Sequence, residues 1–190
     1  IPILRKTSII LAIIIFVFFK VNHMGWRKLI MRSSFDRMLK LDRMVADMLS
    51  QLDDTHFIFH DLTFELFHIE NLVISPRGIF VISKIGEEEQ LQIKDKSLYA
   101  GGELLDKLTG NVWRVCHLIN IVVRADYSGD QGTNPVLVVP EARSVAVKNF
   151  EGITITTLER LNEFIETQKD SKISQELVER FAICLMWRYT

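Results

Sequence analysis

The chain has 190 residues, a formal net charge of −1, 48% hydrophobic and 25% charged residues, and two cysteines. That length suits one domain with a sizeable core plus an appendage, and the balanced composition excludes disordered, collagen-like and coiled-coil chains. Two cysteines exclude a disulfide-built scaffold. The near-zero charge conceals a division. Residues 1–32 carry Arg5, Lys6, Lys20, Arg27, Lys28 and Arg32 and no acid, whereas residues 33–190 hold 17 Lys/Arg against all 24 Asp/Glu, a net charge of −7. Residues 1–32 and 33–190 are therefore expected to be separate parts, a basic apolar head and an acidic body.

From Thr7 to Phe19 the chain reads TSIILAIIIFVFF, without a charge. As a helix this run is about 20 Å long, short of the roughly 30 Å core of a bilayer. Continuing to Trp26 supplies the length if Lys20 extends its ammonium to the headgroups, and Trp26 then falls in the interfacial aromatic belt. No small-x-small cleavage site follows, as a secretory signal would require, and no polar face is present, as a globular helix would require. The expectation is a single-pass anchor in the cell membrane. Lys20, Arg27, Lys28 and Arg32 after the run outnumber Arg5 and Lys6 before it, which places the body in the cytoplasm by the positive-inside bias. Reduced, helix-borne Cys116 and Cys184 agree with that compartment.

In the body, Phe35, Met38, Leu41, Val45, Met48, Leu49 and Leu52 recur at helical spacing, predicting an amphipathic helix over 34–52. Strand-like runs follow at 56–64, 68–75 and 78–85, the last two joined by the turn Ser75-Pro76-Arg77-Gly78 as a hairpin. EQLQIKD (89–95) reads as a fourth strand. A helical pattern runs from Gly102 to Arg124, with Gly110 as its weak point. PVLVVP (135–140), SVAVK (144–148) and ITIT (153–156) read as short β-branched strands. Thr156 and Glu159 have capping-box spacing for a helix LERLNEFIET, and Ser174 suits the N-cap of a last helix ending near Arg188. The order predicts one α/β domain, a mixed central sheet with helices on its faces.

The segment Ile69-Glu70-Asn71-Leu72-Val73-Ile74-Ser75-Pro76-Arg77-Gly78-Ile79-Phe80-Val81-Ile82 resembles the hairpin of the nuclease-related domain (NERD) family. That family shows an Ile-Asp-His-Leu-Val-Ile run, a Pro/Gly turn, and Gly-Val-Phe-Val-Ile-Glu-x-Lys. The likeness extends over roughly residues 40–190, and it implies a restriction-endonuclease-like, PD-(D/E)XK nuclease fold. In such enzymes two hairpin acids hold Mg²⁺, a lysine two residues beyond the second orients the attacking water, and an acid on the first helix often joins them. Carried over residue by residue, the helix acid falls at Asp42, the metal-binding Asp at Glu70, the following His at Asn71, the Glu at Ser83 and the Lys at Ile85. The Asn-Pro-x-x-Gln element survives as Asn111-Val112, with Val115 in place of Gln. Ser83 supplies no anionic ligand to a hard cation and Ile85 donates nothing to phosphate. Strand alternation points Lys84 to the face opposite Ser83. Lys94 and Glu87, Glu88 or Glu89 are the remaining substitutes for a rearranged site. The resemblance thus implies a dismantled catalytic centre with no resident cofactor, Mg²⁺ entering only if a rearranged nuclease persists.

The other constellations have plain readings. His56 and His60 share a strand face with His68 nearby, but no cysteine or spaced carboxylate completes a metal set, so they read as hydrogen-bonded structural histidines. Glu87-Glu88-Glu89 reads as a solvated hairpin end. Ser144 and Ser174 stand in no nucleophile elbow, and Gly101-Gly102 opens no phosphate loop. Trp113, Phe150, Phe181 and Trp187 read as core residues. A body of net charge −7 opposes non-specific DNA binding. The partners expected are a membrane and a protein in a membrane-associated assembly, with nucleic acid disfavoured.

Overall fold

A computed structural model describes residues 35–86, 91–127, 132–140, 148–168 and 173–189. The expected anchor and its basic flank, Glu87, Glu88 and Glu89, and Ser144 with most of its predicted strand lie outside these residues. Among the described residues no helix is long and apolar enough to cross a membrane. The chain divides into two units, residues 1–40 and 41–190. In the first, residues 35–40 are helical. They belong to helix α1, which covers residues 35–49 and whose remainder opens the second unit.

The second unit is a mixed α/β domain, as its pattern predicts. Strands β1 (Phe57–Phe64), β2 (Phe67–Ser75) and β3 (Gly78–Lys84) form an antiparallel meander. Further on, β7 (Thr133–Val139) joins β3 in parallel, β9 (Ile153–Thr157) joins β7 in parallel, and the short β8 (Asn149–Phe150) closes the far edge. The sheet order is β1-β2-β3-β7-β9-β8. Between β3 and β7 the chain makes a second, antiparallel sheet of β4 (Leu91–Lys94), β5 (Ser97–Ala100) and β6 (Glu103–Leu104), and then helix α2 (Asp106–Tyr127). Helices α3 (Leu161–Thr167) and α4 (Gln175–Tyr189) complete the chain.

Alternation along the central strands creates two cores. On one face Val73, Phe80, Ile82, Val136 and Val138 meet Leu41, Val45 and Leu49 of α1 and Leu161 and Ile165 of α3. On the other, Leu72, Ile74, Ile79, Val81 and Leu137 meet Val112, Cys116 and Ile119 of α2 and Val178, Phe181 and Leu185 of α4. The i, i+4 spacing of Leu41, Val45 and Leu49 is what makes α1 a sheet-covering helix. Cys116 is fully buried in α2, where burial pushes its thiol up to about 11, and Cys184 is half-buried on α4; both thiols are free.

Three local expectations need correction. The helix expected from Gly102 starts at Asp106, because two short strands that the pattern did not show, β5 and β6, follow the expected strand β4. Their alternation is too brief to register, and they are defined by tight turns at Asp95-Lys96 and Gly101-Gly102, all four residues having positive φ. The Thr156–Glu159 capping box does not form. Strand β9 extends through Thr157, so the chain enters a 3₁₀ turn at Leu158–Arg160 before α3, and Thr157 caps without a side-chain hydrogen bond. Among the described residues, Asn149 and Phe150 supply the antiparallel partner of β9. Trp187 is not a core residue: it is 86% exposed, whereas Phe150 and Phe181 are buried and Trp113 is partly so. Ser174, by contrast, caps α4 as its position predicts, its Oγ accepting from the Leu177 amide at 3.3 Å.

Leu49 has no exposed surface and anchors α1 on the sheet. Leu49→Ala is expected to cost about 2–5 kcal/mol, read as a lowered urea midpoint with the slope unchanged.

Candidate functional site

The site grows from the hairpin register. The β2–β3 turn is closed by the Ser75–Gly78 pair, with the Arg77 amide donating to Ser75 Oγ at 3.2 Å. This registers Asn71 opposite Ile82. Phe80 and Ile82 point toward α1, and alternation sends Lys84 to the same side. There the Lys84 ammonium is ion-paired with Asp42 Oδ1 on α1 and, at 3.2 Å, with Glu70 Oε2 on β2. The same Glu70 oxygen also accepts the Lys84 backbone N–H at 3.1 Å. Helix and both hairpin strands therefore meet at one cation.

Exposure is graded across the three groups. The Lys84 side chain is 8% exposed, Glu70 23% and Asp42 45%. Burial by itself pushes the lysine pKa down, but the hydrogen bond to Asp42 and the charges of Glu70 and Asp42 outweigh it and raise it above the ordinary 10.5. The lysine stays an ammonium at neutral pH. Each carboxylate keeps part of its hydration, so the desolvation penalty falls mainly on the cation, which both of them compensate.

Asp42 and Glu70, two of the positions singled out in the sequence, are thus brought together. Ser83 and Ile85 are not. Ser83 pairs with Leu137 in the β3–β7 ladder, while Ile85 is 3% exposed in the core that α2 covers, its amide donating to the Val138 carbonyl. Lys84 was expected to face away from Ser83, and it does. Alternation from Phe80 and Ile82 carries that signal; what sequence reasoning missed is that Asp42 and Glu70 converge on the face of Lys84. Lys94 is exposed on β4, and the ion pairs of Asp42 and Glu70 run to Lys84 instead. On α2, Asn111 accepts from Arg114 Nη1 and Val115 is buried in the core.

The histidines divide among separate partners. His60 Nδ1 lies 2.6 Å from Asn71 Oδ1, beside the triad in sequence. His56 Nδ1 lies 2.7 Å from Asp53, and His68 Nε2 lies 3.7 Å from Asp61. Hydrogen bonds from the Thr55 hydroxyl, His56 and the Thr55 amide hold the Asp53 carboxyl down at about 2. The His56 ring is nearly buried, and its Nε2 has no hydrogen-bond partner among the described residues.

A divalent cation, which a rearranged nuclease site would need, does not fit this donor set. Among the described residues no three His, Cys, Asp or Glu side chains group as metal ligands. The two carboxylates that do converge already share an ammonium, whose charge repels a second cation. No family model, curated protein or solved structure matches the chain.

Removing the ammonium leaves two neighbouring carboxylates uncompensated. Lys84→Met is expected to cost about 2 kcal/mol at pH 7, below the figure for a fully buried pair because both acids remain partly hydrated. Because the folded-state pKa of Lys84 is raised, its stabilisation is complete below 10.5 and fades as pH climbs through the raised value. Urea unfolding from about pH 8 to 11.5 checks this: the gap between wild type and Lys84→Met is constant up to the unfolded-lysine pKa and narrows above it.

Proposed function

We propose that this chain is a membrane-tethered domain of NERD-like, restriction-endonuclease-like architecture that has given up catalysis and works as a binding or assembly module. Its single-pass anchor holds an acidic cytoplasmic domain at the cell membrane, within reach of a protein partner in a membrane-associated assembly. The observation that carries this reading is the Asp42–Lys84–Glu70 triad. Where a nuclease of that architecture needs acids free to bind Mg²⁺, this domain engages both acids with one lysine of its own, and Ser83 and Ile85 stand in place of the remaining machinery. The net charge of −7 over residues 33–190 favours protein contacts over phosphate backbones.

A second reading, a Mg²⁺-dependent DNA nuclease with a rearranged site, is favoured by one observation: a lysine does reach the Asp42–Glu70 pair, from position 84 rather than 85. The two readings part on metal. Full-length protein in detergent is titrated calorimetrically with Mn²⁺ and assayed on linear duplex and single-stranded DNA. Pseudo-nuclease behaviour means no saturable heat and no cleavage, while Lys84→Glu, which supplies a third carboxylate, gains Mn²⁺ binding at about 0.1–1 mM. Metal-dependent cleavage by the wild type that disappears in Glu70→Gln overturns the module reading in favour of the nuclease.

A further inference from the structure

Away from the triad, a cavity of about 320 Å³ opens between three elements of the second unit. The β4–β5 turn contributes Lys96, the first turns of α2 contribute Asp106 and Gly110, and the β8–β9 hairpin contributes Phe150 and Glu151. Trp113 of α2 forms an aromatic wall. The volume lies at the lower end of the range for small-molecule sites.

One feature of this cavity runs against local preference. Lys96 and Glu151 adopt left-handed backbone, at φ 63° and 48°, because each sits in a two-residue hairpin turn, but Gly110 has no such reason. Gly110 sits inside α2, where glycine weakens the helix. A Cβ at Gly110 would meet nothing within 4 Å, so no packing demand explains the glycine. What it does is leave the cavity open beside Trp113, one helical turn away. The indole is held in place. A Cβ at Gly152 would come within 3.1 Å of it, and the His117 ring lies against it at 5.8 Å between centroids. A helix-weakening glycine that keeps space open beside a fixed aromatic surface fits a binding site.

The charges define the ligand. Lys96, Asp106 and Glu151 take part in no ion pair among the described residues. All three are exposed side chains that line the cavity: an anion would face two carboxylates, a cation would face Lys96, and a ligand carrying both charges pairs with each sign. We propose that this cavity binds a small zwitterion, an α-amino acid with an apolar or aromatic side chain. Asp106 and Glu151 receive its ammonium, Lys96 receives its carboxylate, and Trp113 and Phe150 cover its side chain. This site is independent of the triad and of the function proposed for it.

The test follows the Trp113 indole N–H by NMR in full-length protein, with exposed Trp187 as internal reference. Three matched probes are added: L-phenylalanine, phenethylamine without the carboxylate, and 3-phenylpropionate without the ammonium. L-Phenylalanine is expected to shift Trp113 saturably, and each one-charge analogue to bind at least about tenfold more weakly. Gly110→Leu, which fills the cavity with a better helix former and so keeps the fold, is expected to abolish the shift. No saturable shift up to about 10 mM L-phenylalanine overturns the proposal. So do analogues that bind as tightly as L-phenylalanine, or binding that survives Gly110→Leu in a protein with an otherwise unchanged spectrum.

Discussion

An ammonium withdrawn from water must be met by negative charge at close range, and Lys84 sets that demand at the junction of α1, β2 and β3. Its backbone is fixed by the β3 ladder, its side chain is all but buried, and among the described residues Asp42 and Glu70 supply it with ion pairs. The pairing therefore ties the first helix of the domain to the hairpin by charge, at the border of the apolar contacts of Leu41, Val45 and Leu49. Hydrophobic burial drives α1 onto the sheet, and the triad adds a directional, charged contact beside it. The same contact decides the chemistry, because two carboxylates committed to an internal cation have little left to offer an external one.

The fold was legible in the sequence wherever periodicity was long enough to read. Helix α1, the β2–β3 hairpin with its Ser75–Gly78 turn, β7, β9 and the Ser174-capped α4 all follow from patterning and turn chemistry. The second sheet was not, since β5 and β6 are four and two residues long, too short for alternation to show beside their Asp95-Lys96 and Gly101-Gly102 turns. At Thr156 the local capping signal lost to a tertiary one, the extension of β9 along β7 through Thr157. Trp187 shows the opposite limit: large aromatics are usually buried, but nothing in a single helix's pattern requires the last turn of α4 to be covered.

The candidate site was legible in part, for an instructive reason. Asp42 and Glu70 were marked by their match to a motif, and they do converge. Lys84 was set aside because alternation turns it away from Ser83, the position that the motif assigns, and it does turn away; the two acids meet it on that other face. A strand has two faces, so a shift of one residue decides which side chains meet. Phe80 and Ile82, packed toward α1, show the face that Lys84 shares. Physical alternation was the better guide than the motif at this position.

The central claim is that Lys84 acts as the domain's own cation between Asp42 and Glu70, and the ammonium itself can be observed. In ¹⁵N-lysine-labelled protein at neutral pH, the Lys84 Nζ protons are expected to exchange slowly enough to be resolved, unlike those of exposed Lys94 or Lys96. Their signal should remain unshifted as Mg²⁺ is added to about 10 mM. A Lys84 ammonium that exchanges as fast as the exposed lysines, or whose resonance moves saturably with Mg²⁺, contradicts the account and returns the two carboxylates to the service of a metal.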